Sequence, residues 1–181
     1  MTPASVKGWL NQYDPQNDGA ALKSVELIKG LLDYSPDPFS RHQYTPGHIT
    51  ATACVKHPTE NLFLLIHHKR LQRWLMPGGH VETGDPDVSD SAAREAVEET
   101  GIELVQARPI LVSVDVHAIP PKKEEPLHLH HDLTFAFRAV SADVAISEET
   151  EGVIWASVKE FPRYQLAANL QRAVLRSLAS S

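Results

Sequence analysis

The stretch Gly78–Ile102 constrains this chain more than any other. Two adjacent glycines follow Trp74-Leu75-Met76-Pro77. Gly84-Asp85-Pro86 then leads into a run with no further glycine or proline before Gly101. Asp85 is placed to cap a helix, and Pro86 to occupy its first position, where the missing amide costs nothing. Gly101 can take the left-handed conformation that ends a helix. The spacing predicts a helix over roughly Val88 to Thr100. At 3.6 residues per turn, Glu95, Glu98 and Glu99 share an arc of roughly 100°. Ala93, Ala96 and Val97 are expected to face a core, their small side chains letting the helix approach a sheet.

Three carboxylates on one face repel one another by a few tenths of a kcal/mol per pair in water. A hard divalent cation removes that repulsion, and Mg²⁺ takes oxygen ligands from one or two carboxylates, water and phosphates. Gly78-Gly79 lets the backbone turn tightly and come close to something, so a bare carbonyl there could complete a metal site. A solvated acidic helix after an ordinary glycine turn remains the alternative for the helix taken alone.

The rest of the chain supplies the frame. Val6 to Tyr13 reads as a short helix. Ala20 to Leu32 reads as a better one, with Leu22, Val25, Ile28, Leu31 and Leu32 at spacings of three and four. Pro36 and Pro38 forbid helix beyond it. Residues 1–40 are therefore expected to form a helical N-terminal extension, and residues 41–181 the main domain. Strands are expected at Ile49 to Lys56, Leu62 to His67, Ile110 to His117, His131 to Val140 and Val153 to Ala156. A last helix is expected at Tyr164 to Ala179, with Leu166, Leu170, Val174 and Leu178 at four-residue spacing. Strands with one helix in the middle and one at the end imply an α+β fold, with a mixed sheet between helices.

With 181 residues, the chain is of ordinary single-domain size and can bury a core without staples. Cys54 is the single cysteine, so no internal disulfide can form. A net charge of -6 argues against non-specific binding of nucleic acid. No apolar run approaches the ~20 residues needed to span a membrane, and the first ten residues lack a secretory pattern. A cytoplasmic location is the expectation.

The segment resembles the Nudix box, G-x5-E-x7-R-E-U-x-E-E-x-G-U, where U is a bulky apolar residue. Arg94, Glu95, Glu98, Glu99, Gly101 and Ile102 stand in register, although Ala96 is smaller than the usual U. Five residues after Gly79 stands Asp85 and not Glu, and eight residues separate it from Arg94 where the pattern has seven. The resemblance covers about 24 of 181 residues. It implies the family's α/β/α sandwich and metal-dependent hydrolysis of a phosphoanhydride in a nucleoside diphosphate linked to another moiety. By the same resemblance, Glu98, Glu99 and the Gly79 carbonyl would ligate Mg²⁺ or Mn²⁺. Glu95 would be a further ligand or would position or deprotonate the attacking water. Arg94 would orient the glutamates by ion pairing. The partner implied is a small nucleotide-type substrate. The extension is a candidate homodimer surface.

Outside the box, ten histidines are many for this length. His128, His130, His131 and Asp132 cluster at the start of one strand, and Asp115 and His117 end the strand before it. If these strands form a hairpin, the groups meet. They could bind substrate phosphate, hold a second metal, change charge near neutral pH, or simply form a polar rim. Glu148, Glu149 and Glu151 precede the last strand and are candidates for a further catalytic or metal-binding acid. His67, His68, Lys69 and Arg70 could meet phosphates or be plain surface. Trp74 and Trp155 read as core, and Phe39 and Tyr44 as candidates for base stacking. Two other function classes stay open: a non-catalytic Nudix-fold nucleotide-binding or regulatory module, and a histidine-rich metal-binding protein with an accidental box.

Overall fold

The computed structural model describes residues 1–179. Two helices come first, α1 (Pro3–Gln12) and α2 (Gly19–Tyr34). The Thr2 side chain accepts from the Ser5 amide, and the Asp18 side chain accepts from the amides of Ala20 and Ala21. These caps explain why both helices begin earlier than their apolar spacing suggests. Val6, Leu10, Val25, Ile28, Leu31 and Leu32 are buried, while Leu22 is exposed.

Seven strands follow: β1 (Gly47–Lys56), β2 (Leu62–His68), β3 (Arg73–Leu75), β4 (Gly78–His80), β5 (Ile110–Ile119), β6 (His128–Arg138) and β7 (Thr150–Ser157). They form one sheet in the order β3-β2-β1-β6-β5, with β4 paired to β1 and β7 to β2. The β1–β6 pair is parallel and the other pairs are antiparallel, so the sheet is mixed. The three-residue strands β3 and β4 were not legible in the sequence. Both are too short for an alternating pattern to show.

Helix α3 (Val88–Thr100) lies between β4 and β5. On one face of the sheet, α1, α2 and α3 cover a core of Ile49, Ala51, Ala53, Val55, Leu133 and Phe135. On the other face, α4 (Phe161–Tyr164) and α5 (Ala168–Ala179) cover Cys54, Phe63, Leu65 and Val112. Helices on both faces of a mixed sheet make the expected α/β/α sandwich. The N-terminal helices share the first core with the sheet. The Trp9 indole also donates to Asp87 Oδ1 at 2.7 Å, just ahead of α3. No described helix is long and apolar enough to cross a membrane.

Three expectations need correction. The last helix does not begin at Tyr164: Gln165 takes a left-handed φ of 50° and divides α4 from α5, leaving Leu166 buried in the connection. The alternation Ile110, Val112, Val114, Val116 does not keep to one face, because the register with β6 shifts between Leu111 and Ser113. Val112 therefore packs with α5 and Val114 with the N-terminal helices. Finally, Val97 is exposed, and the buried side of α3 is Val88, Ala92, Ala96 and Glu99.

Candidate active site

Helix α3 begins with Asp87 as its cap, accepting from the Ser89 amide, and not with Asp85 and Pro86 as the sequence suggests. It ends at Gly101, whose φ of 64° is the left-handed cap expected. The helix itself begins at Val88 as expected, and with Asp87 as its cap Asp85 is left for another task. Its carboxylate accepts two bonds from Arg94, at 3.0 and 3.1 Å, and one from the Glu82 amide at 2.9 Å. Burial is the largest single influence on Asp85 and opposes its ionisation, but hydrogen bonds from Arg94, Ser91 and the Glu82 amide together hold the carboxyl below its ordinary value. The extra residue of the box lies in the loop 81–87, where it leaves the helix undisturbed.

Arg94 organises the site. Besides Asp85, it donates to Glu95 Oε1 at 3.0 Å, to Glu98 Oε2 at 2.9 Å and to the His80 carbonyl at 2.9 Å. One planar fork thus binds α3 to β4 and to the loop between them. Glu99 points inward, almost fully buried, and accepts from the Gly78 amide at 2.9 Å. Burial pushes its carboxyl up to about 8, and the nearby charges of Glu95, Glu149 and Glu98 add to the shift. Burial also raises Glu95, against the pull of Arg94. A Cβ at Gly79 would stand 2.8 Å from the Glu95 carboxylate, so any larger residue there would displace this acid. Of the paired glycines, Gly79 thus lies close against Glu95, while Gly78 lies against the β1 backbone at Ala51 and Thr52.

These residues suit a divalent cation in kind. The donors are all oxygens, and burial has made their negative charge costly to keep without a counter-charge. Glu149 is exposed, but its charge acts on both Glu95 and Glu99. Glu151 points elsewhere, to His67 Nδ1 at 3.1 Å and to the Gln72 amide at 3.0 Å. Of the basic run before β3, Lys69 donates to the Glu148 carbonyl at 3.5 Å and Arg70 stands 3.8 Å from Glu125.

The hairpin expected of β5 and β6 is present, with His117 opposite His130 and Asp115 opposite Asp132. His117 Nδ1 lies 2.9 Å from Asp115 Oδ2, and this bond raises the imidazole above its ordinary pKa. His128 and His130 share a strand face, as their two-residue spacing requires. His131 does not join them: it occupies the opposite face with Leu133 and Phe135, and is buried there with Nδ1 unpartnered. Asp132 is buried as well, accepting from Thr50, Thr52 and Thr134.

Two histidines that sequence reasoning did not single out complete this second cluster. His48 on β1 pairs with His130, and its ring centroid lies 5.1 Å from that of His80 on β4. A signal was present. His48, Thr50 and Thr52 alternate along β1, as do His128, His130, Asp132 and Thr134 along β6, which marks a polar sheet face.

A family model described as the NUDIX domain matches residues 47–178. The chain belongs to the Nudix family. Solved structures share the fold. A NUDIX-family hydrolase from Clostridium perfringens aligns with TM-score 0.55 and 20% identity, over 74% of this chain and 98% of that one. The NUDIX domain of Shewanella oneidensis NrtR, complexed with ADP ribose, aligns with TM-score 0.56 and 16% identity, over 83% and 95%. An Ap4A hydrolase from C. elegans, in a binary complex, aligns with TM-score 0.51 and 18% identity, over 73% and 96%. A search of curated protein sequences found no match.

Proposed function

We propose that the protein is a Nudix pyrophosphohydrolase that cleaves a phosphoanhydride in a small nucleotide, a nucleoside diphosphate linked to another moiety. The observation that carries this reading is the Glu99 carboxylate, buried against the Gly78 amide beside Glu95 and Glu98. Desolvated acids set among other charges concentrate at functional sites. The substrate class draws on the family and on the Ap4A and ADP-ribose proteins of like fold.

Glu98, Glu99 and the Gly79 carbonyl would hold Mg²⁺ or Mn²⁺, with Glu95 as a further ligand or as base. Such a cation lowers the pKa of water and neutralises charge on the phosphates. Arg94 keeps Glu95 and Glu98 in place and, with its donors already committed, does not reach substrate. Water adds to one phosphorus, the bridging P–O bond breaks, and the proton released passes to Glu95 where that residue acts as base. Positioning and charge stabilisation supply most of the acceleration in such reactions.

The test is phosphate release from a panel of nucleotides with Mg²⁺ or Mn²⁺, scored through a coupled phosphatase. Wild type is run beside Glu98→Gln and Glu99→Gln. Metal-dependent turnover lost in both variants supports the reading. Equal signals in all three overturn the site. Nucleotide binding without turnover makes the chain a binding module.

A further inference from the structure

We propose that His48, His128 and His130 form a second metal site, taking a divalent transition cation of the Zn²⁺ type through three imidazole nitrogens. Among the described residues, this is the one set of three potential ligands whose donor atoms all lie within 4.8 Å of one another. The Nudix glutamates do not meet that geometry. The three rings come from β1 and β6, and their centroids are 4.9, 5.1 and 5.3 Å apart.

The hydrogen bonding points the same way. His48 Nδ1 lies 3.1 Å from the Gln43 carbonyl, and His128 Nδ1 lies 2.8 Å from the Pro126 carbonyl. A carbonyl only accepts, so each Nδ1 carries the proton and each Nε2 keeps a free lone pair. Metal-bound histidines show this arrangement, the second ring nitrogen donating to a carbonyl that fixes tautomer and orientation. His48 is 1% exposed, and its Nε2 is buried without any partner. An unsatisfied buried acceptor is destabilising, and a bound cation removes that penalty.

Ligand chemistry then separates a metal from a phosphate. With each Nδ1 proton committed to a carbonyl, the Nε2 atoms of His48 and His128 offer lone pairs rather than protons. A neutral imidazole offers a phosphate no charge, whereas it is the form a metal needs. Three nitrogens with no sulfur and no carboxylate suit Zn²⁺ with a fourth position left to water. Their softness also separates the site from the all-oxygen glutamates. This inference does not depend on the chain being a hydrolase.

The experiment uses the full-length, metal-stripped protein titrated with Co²⁺, whose visible spectrum reports coordination geometry. One Co²⁺ per chain with the intense bands of tetrahedral coordination is expected. The bands should survive in the double variant Glu98→Gln/Glu99→Gln. They should vanish in His130→Gln, with affinity lower by about 100-fold or more, since loss of a mere supporting partner already costs 10–100-fold. His128→Gln repeats the test should His130→Gln fail to fold by circular dichroism. Binding unchanged in the folded histidine variant overturns the proposal. So does absence of tetrahedral bands, or their loss in the glutamate variant alone.

Discussion

Gly79 and His80 are neighbours on one three-residue strand, yet they serve clusters of opposite chemistry. On the Gly79 side stand carboxylates, crowded, partly buried and bound by Arg94. On the His80 side stand imidazoles, and burial holds those of His80, His48 and His130 below their ordinary value. The alternation of a β-strand is the cause, because successive residues must face opposite ways. The difference teaches how one strand can separate a carboxylate cluster from an imidazole cluster by a single residue. The Arg94 bond to the His80 carbonyl ties the two together mechanically without mixing their charges.

Breaking the acid side gives the largest effect. Glu99→Gln should lower turnover by about a hundredfold or more, on the scale of losing one preorganised charge contact. Initial rates with Mg²⁺ check this, and the Co²⁺ bands of the histidine side should remain. Arg94→Met should cost about 3 kcal/mol of stability, because it leaves the buried Asp85 carboxylate unpaired. Urea denaturation measures it. Arg94→Lys should recover little, since an ammonium cannot reproduce the fork. Gly79→Ala pushes a methyl against Glu95 and should lower kcat about tenfold or more through misplacement of the carboxylate. Its thermal midpoint should move less than that of Arg94→Met.

A further test is a pair of slopes with opposite windows. Glu99 has a folded pKa of about 8 against an ordinary 4.5, so the folded state holds its proton where the unfolded state has lost it. Metal-free protein should therefore lose stability as pH rises from about 4.5 to 8, and Glu99→Gln should flatten that loss. His130 behaves in reverse: with a folded pKa of about 2, only the unfolded state takes up a proton below 6.5. Stability on that account falls as pH drops from 6.5, and His130→Gln should lessen the fall. Thermal midpoints across pH, for wild type and both variants without metal, decide the matter. Parallel curves in all three would mean that neither group titrates as its burial suggests.

Much of the acid side was legible beforehand. The register of Arg94, Glu95, Glu98 and Glu99 follows from helical periodicity, a local property that the chain carries within one segment. Gly101 was legible for the same reason. Asp85 was misread because capping preference alone cannot choose between Asp85 and Asp87. That choice fell to the distant Arg94, which claims Asp85, and to Trp9, which holds Asp87.

The histidine side was legible only in part. His117 and His130 could be paired from the hairpin, since adjacent strands tend to meet. His48 joins them through the parallel β1–β6 pair, across roughly 80 residues of chain, and no local pattern encodes such a partner. His131 looked equivalent to His130 until the pleat assigned it to the other face. The sequence by itself determined the family and the glutamate helix, because these depend on spacing within an element. Only the tertiary structure decided which carboxylate Arg94 binds, that Glu99 is buried, and that three histidines from two distant strands converge. Burial and convergence come from packing, in which residues far apart in the chain compete for the same space and the same donors.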